Sequence, residues 1–158
     1  MNKTYFKDKV IIITGASSGI GLASARLFGS CGAKVVMAAR HLDKLQAEVP
    51  SVSAEPDNVL CVKTDVSKEE DCKMLINQAV EKFGRIDILV NNAGISMRAM
   101  FKDLDLSVIK SLMDVNFWGT VYCTKYALPY LLHSKGSVVG VISIAGYSAL
   151  PARTGYSS

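Results

Sequence analysis

One stretch near the N-terminus narrows what this chain can fold into more than any other. Val10 to Gly21 reads V-I-I-I-T-G-A-S-S-G-I-G. Its first half is a continuous β-branched run, which suits a central parallel strand covered on both faces. The run passes straight into Gly15, Gly19 and Gly21 and then into a helical pattern. A helix start offers unpaired backbone N–H groups and the positive end of a dipole, so it attracts an anion. In such a turn Gly15 permits the tight reversal, Gly19 lets backbone approach a pyrophosphate, and Gly21 lets helix and strand pack closely. The stretch predicts a phosphate cradle, and with it a dinucleotide-binding α/β fold.

The rest of the chain continues the alternation. Ile20 to Phe28 reads as a helix stopped by Gly29 and Gly32. Lys34 to Ala39 is a second strand, Leu42 to Val49 a short helix closed by Pro50, and Ser51 to Asn58 a loop. Val59 to Lys63 is a third strand. Ser67, with Glu70 three residues on, has the form of a capping box; it opens a helix that Gly84 ends. Ile86 to Val90 is a fourth strand. A long helix from about Asp105 to Leu132, which Pro129 should kink or shorten, precedes a fifth strand, Ser137 to Ser143.

Right-handed crossovers turn this alternation into an open, doubly wound parallel sheet of Rossmann type, read here as a single domain over residues 1–158. Ligands in such sheets sit beyond the carboxyl ends of the strands. Polar residues fall at five of those ends: the glycine turn, Arg40, Asp65, Asn92 and Ser143. Their convergence on one crevice weighs more than any single motif.

Composition removes several other function classes. Eighteen Lys and Arg face 14 Asp and Glu, giving a scattered net charge of +4 and no basic patch for nucleic acid. Cys31, Cys61, Cys72 and Cys123 have no Cys-x-x-Cys spacing and sit mostly in apolar segments. They read as free thiols of a reducing compartment rather than disulfides or zinc ligands. His41 and His133 have no partner at ligand spacing, so no metal is expected. No apolar run is long enough to span a membrane, and the polar N-terminus lacks a signal-peptide pattern. The expected location is cytoplasmic.

Taken together, Thr14-Gly15-x-x-x-Gly19-x-Gly21, Asp65, Asn91-Asn92-Ala93-Gly94, Asn116, Ser143 and Tyr156 resemble the short-chain dehydrogenases/reductases. The spacing of the first two glycines is that of the single-domain branch, and the resemblance runs from Lys9 to Ser158. The residues from Leu104 onward look somewhat like the hydroxysteroid-dehydrogenase-like part of that family.

The resemblance implies a role for each matched position. Gly15, Ser17, Gly19, Ile20 and Gly21 would hold the pyrophosphate through backbone N–H groups. Asp65 would accept from the adenine amino group with the Val66 backbone beside it. Asn92, Ala93 and Gly94 would pass close to the ribose and nicotinamide. Ser143 would steady the substrate oxygen, and Tyr156, also beside the cofactor, would transfer the phenolic proton. Asn116 would support a water relay to a lysine. At the end of the second strand, Ala39 and Arg40 stand where NAD-specific members usually have an acidic residue. An arginine there suits a 2′-phosphate, so NADP(H) is expected in preference to NAD. The substrate class is a ketone or secondary alcohol, with Met97, Met100, Phe101, Ile144, Tyr147 and Leu150 forming an apolar pocket mouth. Self-association is expected through the helix spanning 105–132.

The family's lysine stands four residues after the tyrosine, past Ser158. The expectation from that position is a chain truncated before its catalytic lysine and nearly inactive alone, with the fifth strand left as an apolar edge. The competing readings are a dinucleotide-binding module without turnover and a structural partner that pairs through the long helix.

Overall fold

The computed structural model describes residues 3–157. Five parallel strands form one sheet in the order β3-β2-β1-β4-β5. They are β1 (Val10–Thr14), β2 (Lys34–Ala39), β3 (Val59–Lys63), β4 (Ile88–Asn91) and β5 (Ser137–Gly140). The helices are α1 (Gly19–Ser30), α2 (Leu42–Val52), α3 (Glu69–Phe83), α4 (Leu106–Leu112) and α5 (Gly119–Ser134), with a π-helical turn, Met113–Trp118, joining the last two.

β1 lies at the centre, and all five of its residues are buried. Side chains alternate across a strand. Val10 and Ile12 accordingly join the core beneath α3 and α5, with Leu75, Ile76, Cys123 and Ala127. Ile11 and Ile13 join the core beneath α1 and α2, with Leu22, Ala25, Leu45 and Val52. The sheet is therefore covered on both faces around β1. The order reverses there, because β2 and β4 flank it on opposite sides.

The other end of the sheet is pinned by a buried carboxylate. Asp87 accepts from the Val10 N–H at 3.0 Å, from Lys9 Nζ at 3.2 Å and from Arg85 Nη2 at 2.6 Å. Burial raises its pKa, but the Val10 amide and the Arg85 and Lys9 cations outweigh burial and the net shift is downward. β5 forms the opposite edge from β3, and all four of its residues are exposed.

Several boundaries differ from the sequence expectation. Gly29 does not stop α1 but lies inside it, where a Cβ would strike the Val52 carbonyl oxygen. Pro50 does not close α2. The helix runs on to Val52, which is 3% exposed, so burying that side chain outweighs the hydrogen bond Pro50 cannot donate. The segment read as a loop thus starts two residues late and contains a 3₁₀ turn, Pro56–Asn58. Pro129 does not shorten α5, which continues through the buried Leu131 to Ser134.

Ser67 is not the cap of α3. That place falls to Lys68, which has no side-chain capping bond, while Ser67 turns back to donate to Asp65 Oδ1 at 2.7 Å. The fourth strand begins at Ile88, two residues later than expected, although the Asp87 N–H still donates to the Val10 carbonyl at 2.9 Å. The fifth ends at Gly140, three residues short of Ser143.

Candidate active site

The turn between β1 and α1 adopts backbone conformations that most side chains avoid, with φ of 66° at Gly15 and 57° at Gly19. A Cβ on Gly15 would lie 2.9 Å from Ala93 Cα, and one on Gly21 would strike the Gly15 carbonyl oxygen and Asn92 Nδ2. Gly19 is different: nothing lies within 4 Å of where its Cβ would sit. Its surroundings are open to a ligand. Ser18 enters α1 in extended backbone without a side-chain cap, and the first turn of the helix carries no acidic residue. The cradle is thus left uncapped and favours a negative charge.

Thr14 binds this turn to the end of β4. Its hydroxyl, 2% exposed, donates to the Val90 carbonyl at 3.4 Å and accepts from the N–H groups of Asn92 and Ala93, both at 3.0 Å. In return Asn92 Nδ2 donates to the carbonyls of Thr14 at 2.9 Å and Gly15 at 3.3 Å. Asn91, at the end of β4, gives its amide to Thr124 Oγ1 on α5 at 3.0 Å; its buried Oδ1 has no partner among the described residues.

Beyond the carboxyl ends of β1 to β4 lies a cleft of about 290 Å³. Of the residues singled out from sequence, Gly15, Ser17, Arg40, Asp65, Val66, Asn92, Ala93 and Gly94 line it. Gly19, Ile20 and Gly21 form the first turn of α1, directly after the lining residues Ser17 and Ser18. Arg40 is exposed at the end of β2, beside His41. Asp65 is half-buried and partly committed to its own loop: Oδ1 accepts from the Ser67 N–H at 3.2 Å and the Ser67 hydroxyl at 2.7 Å.

Asn116 falls inside the π-helical turn, where the ladder between α4 and α5 is locally widened to i→i+5 bonding. It does not bond back to its own turn. Its Oδ1 accepts from the Ile95 N–H and its Nδ2 donates to the Ile95 carbonyl, both at 2.9 Å. Ser143 and Tyr156 stand apart from the cleft lining. Ser143 caps the 3₁₀ turn Ile144–Gly146, with Oγ accepting from the Ala145 N–H at 3.2 Å. Tyr156 ends a second 3₁₀ turn, Thr154–Tyr156, half-buried, with the Arg153 guanidinium 5.9 Å from its ring centre.

Sequence reasoning missed the double acceptor role of Thr14 and the tie between Asn116 and Ile95. A hydroxyl at the end of a buried strand signals a need for partners, but not which ones. Among the described residues, no group of three or more His, Cys, Asp and Glu is placed to hold a metal ion.

The profile of the short chain dehydrogenase family matches residues 9–158. The chain belongs to that family.

Among curated short chain dehydrogenase relatives, 11-beta-hydroxysteroid dehydrogenase A of Sesamum indicum is 43% identical over 153 residues, which cover 95% of this chain and 44% of that protein. 11-beta-Hydroxysteroid dehydrogenase 1A of Arabidopsis thaliana is 41% identical, with the same coverage. The chain therefore spans less than half the length of these relatives. A crystal structure of a short chain dehydrogenase from Bacillus anthracis superposes with a TM-score of 0.91 at 34% identity, covering 96% of this chain and 64% of that one. An alcohol dehydrogenase from the archaeon Thermococcus sibiricus, complexed with 5-hydroxy-NADP, also gives 0.91, at 30% identity, covering 96% of this chain and 65% of that one.

Proposed function

We propose that the protein is an NADP-dependent oxidoreductase interconverting a hydrophobic ketone and its secondary alcohol. The observation that carries this reading is Arg40, exposed at the end of β2 and lining the same cleft as the uncapped glycine turn. A guanidinium there offers a 2′-phosphate paired, charge-assisted hydrogen bonds. The NADP analogue in the Thermococcus sibiricus relative supports the choice.

A nicotinamide dinucleotide bound in the cleft would supply or accept the hydride. The chain's own groups do the rest. Backbone N–H groups of Gly15, Ser17, Gly19, Ile20 and Gly21 hold the pyrophosphate. Asp65 and Val66 meet the adenine, while Asn92, Ala93 and Gly94 meet the ribose and nicotinamide. Ser143 steadies the substrate oxygen, and Tyr156 gives it a proton in reduction and takes one back in oxidation. Asn116 supports this end of the site by holding the loop after β4.

An apolar substrate is supported by Met100, Phe101, Ile144 and Tyr147, which are 57%, 60%, 73% and 93% exposed on the two loops beyond β4 and β5. Phe117, Trp118, Leu128 and Leu132 stand out on the π-helical turn and α5, which is the face proposed for pairing with a second copy. No helix among the described residues is long and apolar enough to cross a membrane. With four free thiols, the proposed location is the reducing cytoplasm.

The test is the catalytic efficiency of the full-length protein with NADPH and NADH over a panel of hydrophobic ketones, for wild type, Arg40→Asp and Tyr156→Phe. Wild type should favour NADPH by about 10- to 100-fold, the worth of a charge-assisted bond, and Arg40→Asp should cancel or invert that ratio. Tyr156→Phe should abolish turnover with both. Equal use of the two cofactors by wild type would overturn the NADP assignment, and undiminished turnover in Tyr156→Phe would overturn the role of that tyrosine.

A further inference from the structure

The segment carrying Tyr156 is anchored at three separate points. Gly155 is seated on α4, where a Cβ would lie 3.0 Å from Ile109 and 3.1 Å from Leu112. The Ala152 carbonyl accepts from the Ala99 N–H at 2.9 Å, which binds the segment to the loop after β4. Ala152 does so in the left-handed region, at φ 59°, a conformation that costs a side-chain-bearing residue energy and persists only where neighbours enforce it. The third anchor is Arg153. Its Nη1 donates to Ser96 Oγ at 2.7 Å, and the same guanidinium lies over the Tyr156 ring at 5.9 Å, within cation–π range. Its carbonyl accepts from the N–H groups of Tyr156 and Ser157, both at 2.9 Å.

We infer that Arg153 is a positioning residue for Tyr156, a clasp that fixes the phenol ring relative to the loop after β4. One planar group spans both segments: its Nη1 bonds the serine while its central carbon lies 5.9 Å from the ring centre. Lysine lacks that geometry and can satisfy only one contact at a time. The two loops proposed to form the substrate pocket mouth then move as one body. A substrate that displaces Ser96 also displaces the proton-transferring ring. The inference rests on the reading of Tyr156 as the group that exchanges a proton with substrate.

Two measurements test it. Hydrogen exchange at the Ala99 amide reads the clasp directly. In Arg153→Met that amide should exchange about 10-fold faster while the Val36 amide, deep in the sheet, is unchanged. Ser96→Ala, which deletes one hydroxyl, reads the same joint if Arg153→Met does not fold. In turnover, Arg153→Met should lower kcat by about 10-fold with KM for NADPH nearly unchanged, because a misplaced proton donor slows the chemical step alone. Arg153→Lys should recover part of that loss. Unchanged exchange at Ala99, or a defect confined to KM for NADPH, would overturn the clasp. Absence of turnover in the full-length wild type together with fast Ala99 exchange in Arg153→Met would overturn the oxidoreductase reading instead.

Discussion

Asn116 and Ile95 exchange a closed pair of hydrogen bonds, the Asn116 side chain accepting from and donating to one backbone residue at 2.9 Å each way. The contact joins the π-helical turn to the loop after β4, and Ile95 and Val115 both line the cleft. Asn116→Ala would leave a partly buried N–H and C=O without partners, at about 1–3 kcal/mol. Asn116→Asp keeps the acceptor and loses the donor, so it should fall between. Urea unfolding gives the stability and NADPH titration the affinity; both should weaken in the order wild type, Asp, Ala. An unchanged unfolding midpoint in the alanine variant would refute the structural weight given to this pair.

Thr14 makes a similar demand at the strand end. Thr14→Val preserves shape but orphans the N–H groups of Asn92 and Ala93, which both donate to the hydroxyl. The expected cost is about 2 kcal/mol, with weaker NADPH binding because Ala93 packs against Gly15. Thr14→Ser keeps the hydroxyl and should lose well under half as much. Thermal unfolding with and without NADPH separates the two effects.

Asp87 gives the fold an acid limit. Its folded pKa lies below its ordinary value, so its contribution is fully present above the unfolded carboxylate pKa, about 3.9, and is lost as pH falls through the folded value. Asp87→Asn should destabilise the protein by about 3 kcal/mol near neutrality, since Lys9 and Arg85 lose their buried counter-charge. The gap between wild type and variant should stay flat from about pH 5 to 7 and shrink below about pH 4. Denaturant midpoints across that range check it; a gap that widens on acidification would be the wrong sign.

The thiols should react unequally. Cys72 and Cys123 are 0% exposed and Cys31 is 6%, whereas Cys61 is half-buried. A hydrogen bond with the Cys72 thiol, with burial behind it, pushes the Cys123 thiol well above the usual range. Burial also pushes Cys61 up, partly offset by the Lys82 ammonium. An aromatic disulfide reagent at pH 8 should therefore label Cys61 first, slowly, and the other three only after denaturation. Cys61→Ser should erase the native-state phase.

The strands and the crevice were readable in the sequence because their signals are local. A β-branched run, a glycine turn and a polar strand end each lie within a few residues, and β1, β2 and β3 have the expected bounds. The misses are contests between local and distant forces. Pro50 and Gly29 are helix breakers by propensity, yet each sits inside a helix because Val52 and Gly29 pack together across α1 and α2. The π-helical turn has no signature of its own; it places Asn116 where Ile95 needs it. The Arg153 contact with Ser96 joins residues 57 apart, and nothing in either neighbourhood announces the other.

The seam between β1 and β4 has a kinetic consequence. Thr14 and Asn92, which together shape the phosphate turn, are 78 residues apart. The glycine motif is contiguous in the sequence, but its working shape is not a local property. A ribosome-bound chain that has emerged only as far as α3 has the turn and lacks the residues that fix it. Pairings of such long sequence separation form late, because their loop entropy is lost before any contact is gained. Dinucleotide binding should therefore appear at the end of refolding, in step with formation of the sheet centre. A ligand present throughout would act on the finished state, adding about 2.7 kcal/mol at 100 times its Kd by mass action without speeding the approach to it.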